Sequence, residues 1–328
     1  MTTQRQQKKV VHNEPPKLEF FKFSANGNTA IVVGSNKEKK GIFDQSLLPL
    51  KEEIRKKITS SSIGIGANYF VEVYPSKYAT FGVKIYTKDG GNIPLDGNAL
   101  RCARAYLFEH NQCLVKDNPV TVSADAGIYD LGVEVNNCKL ENVSVDFKPI
   151  FNRNVLLRIP NAKNNHHETC VIEDINGKKF VLIGFGREEG YTADSQERKQ
   201  RLNGIIHAVT FQTFHDYTNI AKEVSENPLF PENAIVNVDF VKIEKDKIIS
   251  VDSFVKGVGY VTCSDTGVCA AVIAALKGNP IQAINEPISI SLKRGSVTII
   301  PTMINNEVVR VSLTGSIDAG YKIEEITL

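Results

Sequence analysis

The sequence lacks the strong signals that would assign a function by composition alone. No charge of one sign dominates: 39 basic and 37 acidic residues leave a formal net charge of +2 over 328 positions, too weak a field to recruit nucleic acid or an anionic membrane surface. No apolar run approaches the ~20 residues that a membrane helix needs. Residues 1–16, MTTQRQQKKVVHNEPP, lack the apolar centre of a secretory signal. A cytoplasmic protein with a small-molecule ligand is the resulting expectation, with nucleic acid and membrane excluded as partners.

Metal-site signals are missing too. Cys102, Cys113, Cys138, Cys170, Cys263 and Cys269 form no CxxC pair and no ligand-spaced cluster with histidine, so neither zinc nor a disulfide framework is indicated and the cysteines read as free thiols. His166 and His167 lie in the polar run AKNNHHET. Adjacent residues seldom aim both rings at one ion, and the pair reads as a surface loop.

What is present is β-rich. From Lys17 onward, short β-branched and aromatic runs are broken by turn signals, which points to antiparallel sheet rather than βαβ units. Hairpins are predicted around Asp89-Gly90-Gly91, around Asn176-Gly177, and around Glu244 to Lys247. Against this background two Ala-rich segments, Asn98 to Glu109 and Thr266 to Lys277, read as buried helices, each wrapped by a sheet. Residues 187–201 are strongly charged without an apolar stripe and read as a solvated insertion, and residues 1–16 as a disordered tail.

The two helices begin alike. Leu95-Asp96-Gly97-Asn98 precedes the first, and Cys263-Ser264-Asp265-Thr266-Gly267 the second. Asp, Ser and Thr are preferred N-caps, so either start could exist only to cap its helix. Two such starts in matching contexts, however, would set two helix N-termini face to face. Free N–H groups and the positive dipole ends would then hold an anion between them.

Several segments together carry a resemblance. They are Phe21-Lys22-Phe23-Ser24-Ala25-Asn26-Gly27-Asn28, Gly64-Ile65-Gly66-Ala67, Lys84-Ile85-Tyr86-Thr87-Lys88-Asp89-Gly90, and Asp96-Gly97-Asn98-Ala99-Leu100-Arg101-Cys102 in the first half. In the second half they are Gly204-Ile205-Ile206-His207-Ala208-Val209, Asn237-Val238-Asp239-Phe240, Ser264-Asp265-Thr266-Gly267-Val268-Cys269 and Arg294-Gly295-Ser296-Val297. In order and spacing the chain resembles the diaminopimelate epimerase family of cofactor-independent isomerases. The resemblance implies an α+β fold of two pseudo-symmetric lobes, each a mostly antiparallel sheet around a central helix. The lobes are expected at residues 17–142, joined by a return strand at 312–328, and at residues 143–311. No cofactor is implied, the partner is a small amino-acid-like or carboxylate substrate, and a homodimer is allowed for.

In that family each lobe supplies a cysteine at the start of its central helix, and the two exchange protons on opposite faces of the substrate α-carbon. Here Asp96 and Ser264 stand at those two places, with Cys263 one residue too early and Cys102 and Cys269 a turn inside the helices. A two-thiol racemisation is therefore not available. Asp96 and Ser264 are the catalytic candidates, the first as proton carrier and the second as hydrogen-bond donor to a substrate oxygen. Substrate contacts are expected from Asn28, Thr87, Gly97, Asn98, Asn237, Lys256, Asp265 and Thr266. Where the family holds the far end of diaminopimelate with a Glu-Arg pair and asparagines, this chain has Val255-Lys256, Thr87 and Ile205, keeping Asn28 and Asn237. The expected function is an isomerase moving a proton at a carbon next to a carboxylate, on a substrate other than diaminopimelate. Two alternatives stay open: a carboxylate-dependent isomerase resembling those of phenazine biosynthesis, and a non-catalytic binding protein that keeps the cleft.

Overall fold

The computed structural model describes residues 17–34, 49–110, 118–151, 153–157, 171–189, 201–231, 234–245, 247–256, 258–261, 264–278 and 285–327. The N-terminal tail, the His166-His167 pair, most of the charged insertion, and Cys113, Cys170 and Cys263 lie outside the described residues.

The first half contributes β1 (Lys17–Ala25), β2 (Asn28–Gly34), α1 (Glu52–Thr59), β3 (Tyr69–Tyr74), β4 (Phe81–Thr87), β5 (Asn92–Ile93), α2 (Gly97–Glu109), β6 (Val120–Ala124), β7 (Gly127–Asn136) and β8 (Lys139–Phe147). The second half contributes β9 (Pro149–Ile150), α3 (Arg153–Leu156), β10 (Val171–Ile175), β11 (Lys178–Glu189), β12 (Arg201–Thr210), α4 (Tyr217–Ser225), β13 (Ile235–Glu244), β14 (Lys247–Val255) and β15 (Gly259–Val261). It ends with α5 (Asp265–Lys277), β16 (Ile288–Leu292), β17 (Gly295–Ile304) and β18 (Glu307–Thr327). The architecture is α+β, as the sequence predicts.

Turn chemistry sets the local geometry. Asn26 and Gly27 join β1 to β2 with φ of 49° and 87°, and Asn176 and Gly177 join β10 to β11 with φ of 53° and 77°. Both pairs adopt the left-handed conformation that a tight hairpin requires and that Asn and Gly tolerate. All three predicted hairpins form, with β4 pairing β5 and β13 pairing β14 in the other two.

Strands β1, β2, β3, β4, β6, β7, β8 and β18 pair in that order, and β18 pairs back onto β1, closing an eight-stranded barrel. Most ladders are antiparallel, but β2–β3 and β4–β6 are parallel, as is β12–β13 in the second half. Helix α2 runs inside the barrel. It is buried from Gly97 to Leu107, and Val71, Val83, Val143 and Val145 belong to the apolar cluster around it. The opposite face of β3 packs Phe70 outward against α1, so this strand is buried on both faces.

Helix α5 is buried from Asp265 to Leu276 and contacts β11 to β14 on one side and β17 and β18 on the other. Its all-round apolarity is the sequence-level mark of a helix with no solvent face. Strand β18 serves both wraps. Its residues Val311 to Ser316 pair with β8, while Ile317 to Thr327 pair with β1. The expected lobe boundaries at 142/143 and 311/312 fall inside strands β8 and β18 rather than between elements. Among the described residues no helix is long and apolar enough to cross a membrane.

Candidate active site between two helix starts

Asp96 is the N-cap of α2. Its backbone is extended, with φ −153° and ψ 126°, and its carboxylate accepts the Ala99 N–H at 2.8 Å. The side chain is buried. Burial pushes its pKa up to about 6 against an ordinary value of 3.8, and the negative charge of Asp265 adds to the rise. The Ala99 N–H, a Tyr69 hydrogen bond and Arg101 oppose it. Because burial disfavours the charged carboxylate, the Asp96 carboxyl keeps its proton closer to neutrality than a solvated aspartate does.

Ser264 caps α5 in the same way. Its Oγ accepts the Gly267 N–H at 3.1 Å and lies 3.4 Å from Thr266 Oγ1. Both expected caps therefore form, each helix beginning one residue earlier than the sequence pattern predicts. Gly267 has a steric reason to be glycine. A Cβ there would lie 2.4 Å from Asp239 Oδ1 and 2.6 Å from Ser253 Oγ.

Those two atoms belong to a buried polar chain that sequence reasoning did not place in the site. Ser253 Oγ donates to Asp239 Oδ1, and Asp239 Oδ2 lies 2.6 Å from His207 Nδ1, with both side chains fully buried. His207 Nε2 finds no hydrogen-bond partner among the described residues. The sequence signal was a histidine and an aspartate at buried alternation positions on neighbouring strands, where apolar residues are the rule.

The two helix starts meet. A Cβ built on Gly97 would come within 2.5 Å of Asp265 Cβ and 3.1 Å of the Phe147 ring, so the first residue of α5 rests on the first residue of α2. Arg101, one turn into α2, reaches across to Asp265, Nε to Oδ2 at 2.7 Å and Nη2 to Oδ1 at 3.1 Å. Both side chains are fully buried. Asp96, Gly97, Asn98, Ser264, Asp265 and Thr266 are thus gathered at one junction, where like-charged Asp96 and Asp265 face a single guanidinium.

The remaining expected residues are arranged differently. Asn98 faces Arg101, accepting from Nη2 at 3.3 Å. Asn28 and Thr87 are buried, Thr87 donating to the Gly91 carbonyl at 3.4 Å. Asn237 is buried and accepts the Lys256 N–H at 3.0 Å, while the Lys256 ammonium turns out to the Ala234 carbonyl at 3.0 Å. Asn26, the turn residue between β1 and β2, is also a partner of Arg101, accepting from Nη2 at 2.7 Å.

Cys102 and Cys269 are buried inside the helices, and burial pushes the Cys102 thiol far above the ordinary range, so it is no thiolate at neutral pH. A cavity of about 720 Å³ is lined by Asn92, Pro94 and Asp125 from the barrel and by Arg187, Asn203 and Ile235 from the second half, and none of the junction residues Asp96, Gly97, Asn98, Ser264, Asp265 and Thr266 lines it. Pro94, two residues before Asp96, is its nearest approach along the chain. No cluster of His, Cys, Asp or Glu among the described residues could hold a metal ion.

No family model matches the chain. Among curated proteins it is similar to the diaminopimelate epimerase of Geobacillus sp. (strain WCH70), 28% identical over 302 residues that cover 91% of this chain and 95% of the relative. Among solved structures it is similar to a hydroxyproline epimerase from Agrobacterium vitis with bound trans-4-OH-L-proline, with a TM-score of 0.60, 12% identity, and 94% and 91% of the two chains covered. It is also similar to a phenazine biosynthesis protein of the PhzF family from Bacillus anthracis, with a TM-score of 0.57, 14% identity, and 94% and 99% covered. The resemblance read in the sequence holds, and the fold is the one these epimerases and isomerases share.

Proposed function

We propose that the protein is a cofactor-independent isomerase of the epimerase and racemase type, moving a proton at a carbon next to a carboxylate on a substrate other than diaminopimelate. The observation that carries this reading is Asp96: a buried carboxyl at the start of a core helix, with its pKa raised to about 6, opposite a second helix start capped by Ser264. Of the two groups, only the carboxyl titrates in a range useful for general acid/base catalysis. Ser264 supports the reaction as a hydrogen-bonding group near developing charge on a substrate oxygen.

A single titrating group favours a mechanism in which one carboxyl both removes and returns the proton. This supports the second reading, a carboxylate-dependent isomerase of the kind met in phenazine biosynthesis, and the similarity to a PhzF-family structure is in line with it. Solvent deuterium incorporation into a panel of amino and carboxylic acids tests both readings, because exchange at carbon reports proton transfer whatever the product. Incorporation into at least one acid, lost in Asp96→Asn, is the expected result. A wild-type protein that binds an acid from the panel but neither exchanges its carbon-bound hydrogen nor converts it to an isomer is a binding protein, and the isomerase reading fails.

A further inference from the structure

The cavity of about 720 Å³ is built apart from the helix junction. Along β3 and β6, Val71, Val73 and Val122 point inward to the apolar cluster around α2, so their neighbours Tyr74 and Ser123 face outward. Both line the cavity, which therefore lies on the outer face of the barrel, where the second half of the chain covers it. Tyr69, which bonds to Asp96, starts β3 and points inward. Tyr74 ends the same strand on the opposite face, roughly 17 Å further on.

One end of the cavity is polar. Asn203 Nδ2 donates to the Asp125 carbonyl at 3.0 Å, and Arg187 stands directly across from Asn203 in the β11–β12 ladder. The Asp125 carboxylate is already engaged. Its Oδ1 accepts from Lys84 Nζ at 2.6 Å, and its Oδ2 accepts from Lys84 Nζ and Asn92 Nδ2, both at 2.8 Å. Arg187 brings a guanidinium, whose five N–H groups can serve several acceptors in a carboxylate-matched geometry.

The Tyr129 hydroxyl lies at the same end. It stands 3.7 Å from the point where a Cβ on Gly127 would be, and Gly127 lines the cavity two residues past Asp125. Gly127 has φ 147°, a conformation that favours glycine, and it brings no side chain to this wall. The hydroxyl is buried without a hydrogen-bond partner among the described residues. Burial keeps its pKa far above the ordinary range, so it stays a donor. A buried O–H is rarely left unmet, and this one adjoins a space into which an acceptor can be brought. The other walls are apolar and partly aromatic. Tyr78 and Ile128 are 83% and 54% exposed there, surface that a bound molecule would cover.

We propose that this cavity binds a flat aromatic monocarboxylate, with its rings against Tyr74, Tyr78 and Ile128 and its carboxylate on Arg187 and the Tyr129 hydroxyl. Because both halves of the chain line the cavity, such a ligand joins them at a place other than the helix junction. The proposal stands independently of the isomerase reading.

The test uses the full chain and calorimetry, with 2-naphthoate as the probe. Acetate supplies the charge without the rings, and 2-naphthamide the rings without the charge. The probe should bind with a Kd below about 1 mM, and each comparator at least about tenfold more weakly. Arg187→Gln and Tyr78→Ala replace exposed side chains, so both should fold, and each should lose about tenfold in affinity. Tyr129→Phe removes a hydroxyl with no partner to lose, so its Tm should hold or rise while probe binding weakens. A purely structural hydroxyl would do the reverse. Asp96→Asn, at the junction, should bind the probe as the wild type does.

No binding of 2-naphthoate up to about 10 mM, equal binding of the amide, or full affinity in Arg187→Gln, Tyr78→Ala or Tyr129→Phe would each overturn the proposal. So would loss of binding in Asp96→Asn, which would put the probe at the helix junction. The readout is binding and not exchange at carbon. Failure of the isomerase reading therefore leaves the cavity standing, and failure here leaves that reading standing.

Discussion

His207 Nδ1 and Asp239 Oδ2 lie 2.6 Å apart, wholly buried between neighbouring strands directly beneath the first turn of α5. Ser253 completes the chain by donating to the other Asp239 oxygen. Asp239 thus supports the floor on which Gly267 sits, and through the Gly267 N–H it helps to fix Ser264.

Removing Asp239 leaves His207 Nδ1 and Ser253 Oγ buried without this partner, at a cost of about 1–3 kcal/mol for each group left unsatisfied. Asp239→Ala should therefore destabilise the protein by that amount in urea unfolding, with no comparable effect from an exposed carboxylate such as Glu134. A loss below about 1 kcal/mol would show that the chain carries no weight in the fold.

Asp96→Asn keeps the side-chain size and the capping bond to Ala99 while removing the proton-carrying group. Carbon–hydrogen exchange on whichever acid the wild type accepts should drop by about 100-fold to 10,000-fold, with the fold and the helix cap retained. Ser264→Ala loses one cap and one oxygen contact, and should cost about 1–3 kcal/mol in stability or transition-state binding. Near-full exchange in Asp96→Asn would transfer the proton-carrying role elsewhere, with Cys263 the first residue to replace.

The junction was only partly legible in the sequence. N-caps are local: Asp96 and Ser264 are each read from the few residues that follow, because their bonds are to N–H groups three positions on. Arg101 and Asp265 are 164 positions apart, and nothing near either announces the other. Asn26 shows the same limit from the other side. Its turn role is written in Asn26-Gly27, while its contact with Arg101 exists only once the barrel closes. Lys256 was expected in the cleft by its place in the chain, but a long flexible side chain follows the nearest free carbonyl, here that of Ala234. The parallel ladders β2–β3 and β4–β6 escaped notice because parallel neighbours need crossovers and leave no turn signature.

The raised pKa of Asp96 has a consequence for stability. An acid whose pKa is higher folded than unfolded binds more protons in the folded state, so its contribution is fully present below the unfolded value of 3.8 and is lost as pH rises through about 6. Wild type minus Asp96→Asn, compared by denaturant unfolding at several pH values, should therefore fall by about 2–3 kcal/mol between pH ~4 and pH ~7. The subtraction removes the other carboxyls, which both proteins share. A flat difference would place the Asp96 carboxyl in contact with solvent, and a difference that rises with pH would mean that its ionised form is the one the fold stabilises.

Diaminopimelate should be a poor ligand, for reasons that lie on both sides of the junction. A substrate with a second charged end needs a bidentate cation and amide groups to replace the water it gives up, since a buried charge without partners costs several kcal/mol. Where the resemblance places such groups, the chain has Val255 and Ile205, both buried and apolar, and Thr87, whose hydroxyl is already donated to Gly91. Lys256 is exposed and directed at the Ala234 carbonyl, and as a single ammonium it cannot supply a fork. Asn237 remains, but its oxygen is engaged by the Lys256 backbone. An amino or carboxylic acid with an apolar tail gives up less water and meets Val255 and Ile205 on favourable terms. Calorimetry should find diaminopimelate binding weaker than about 1 mM, with an apolar-tailed acid of similar length at least about tenfold tighter. Micromolar binding of diaminopimelate, or its efficient epimerisation, would mean that the lobes rearrange to expose a cation at this end, and the specificity argument would fall with it.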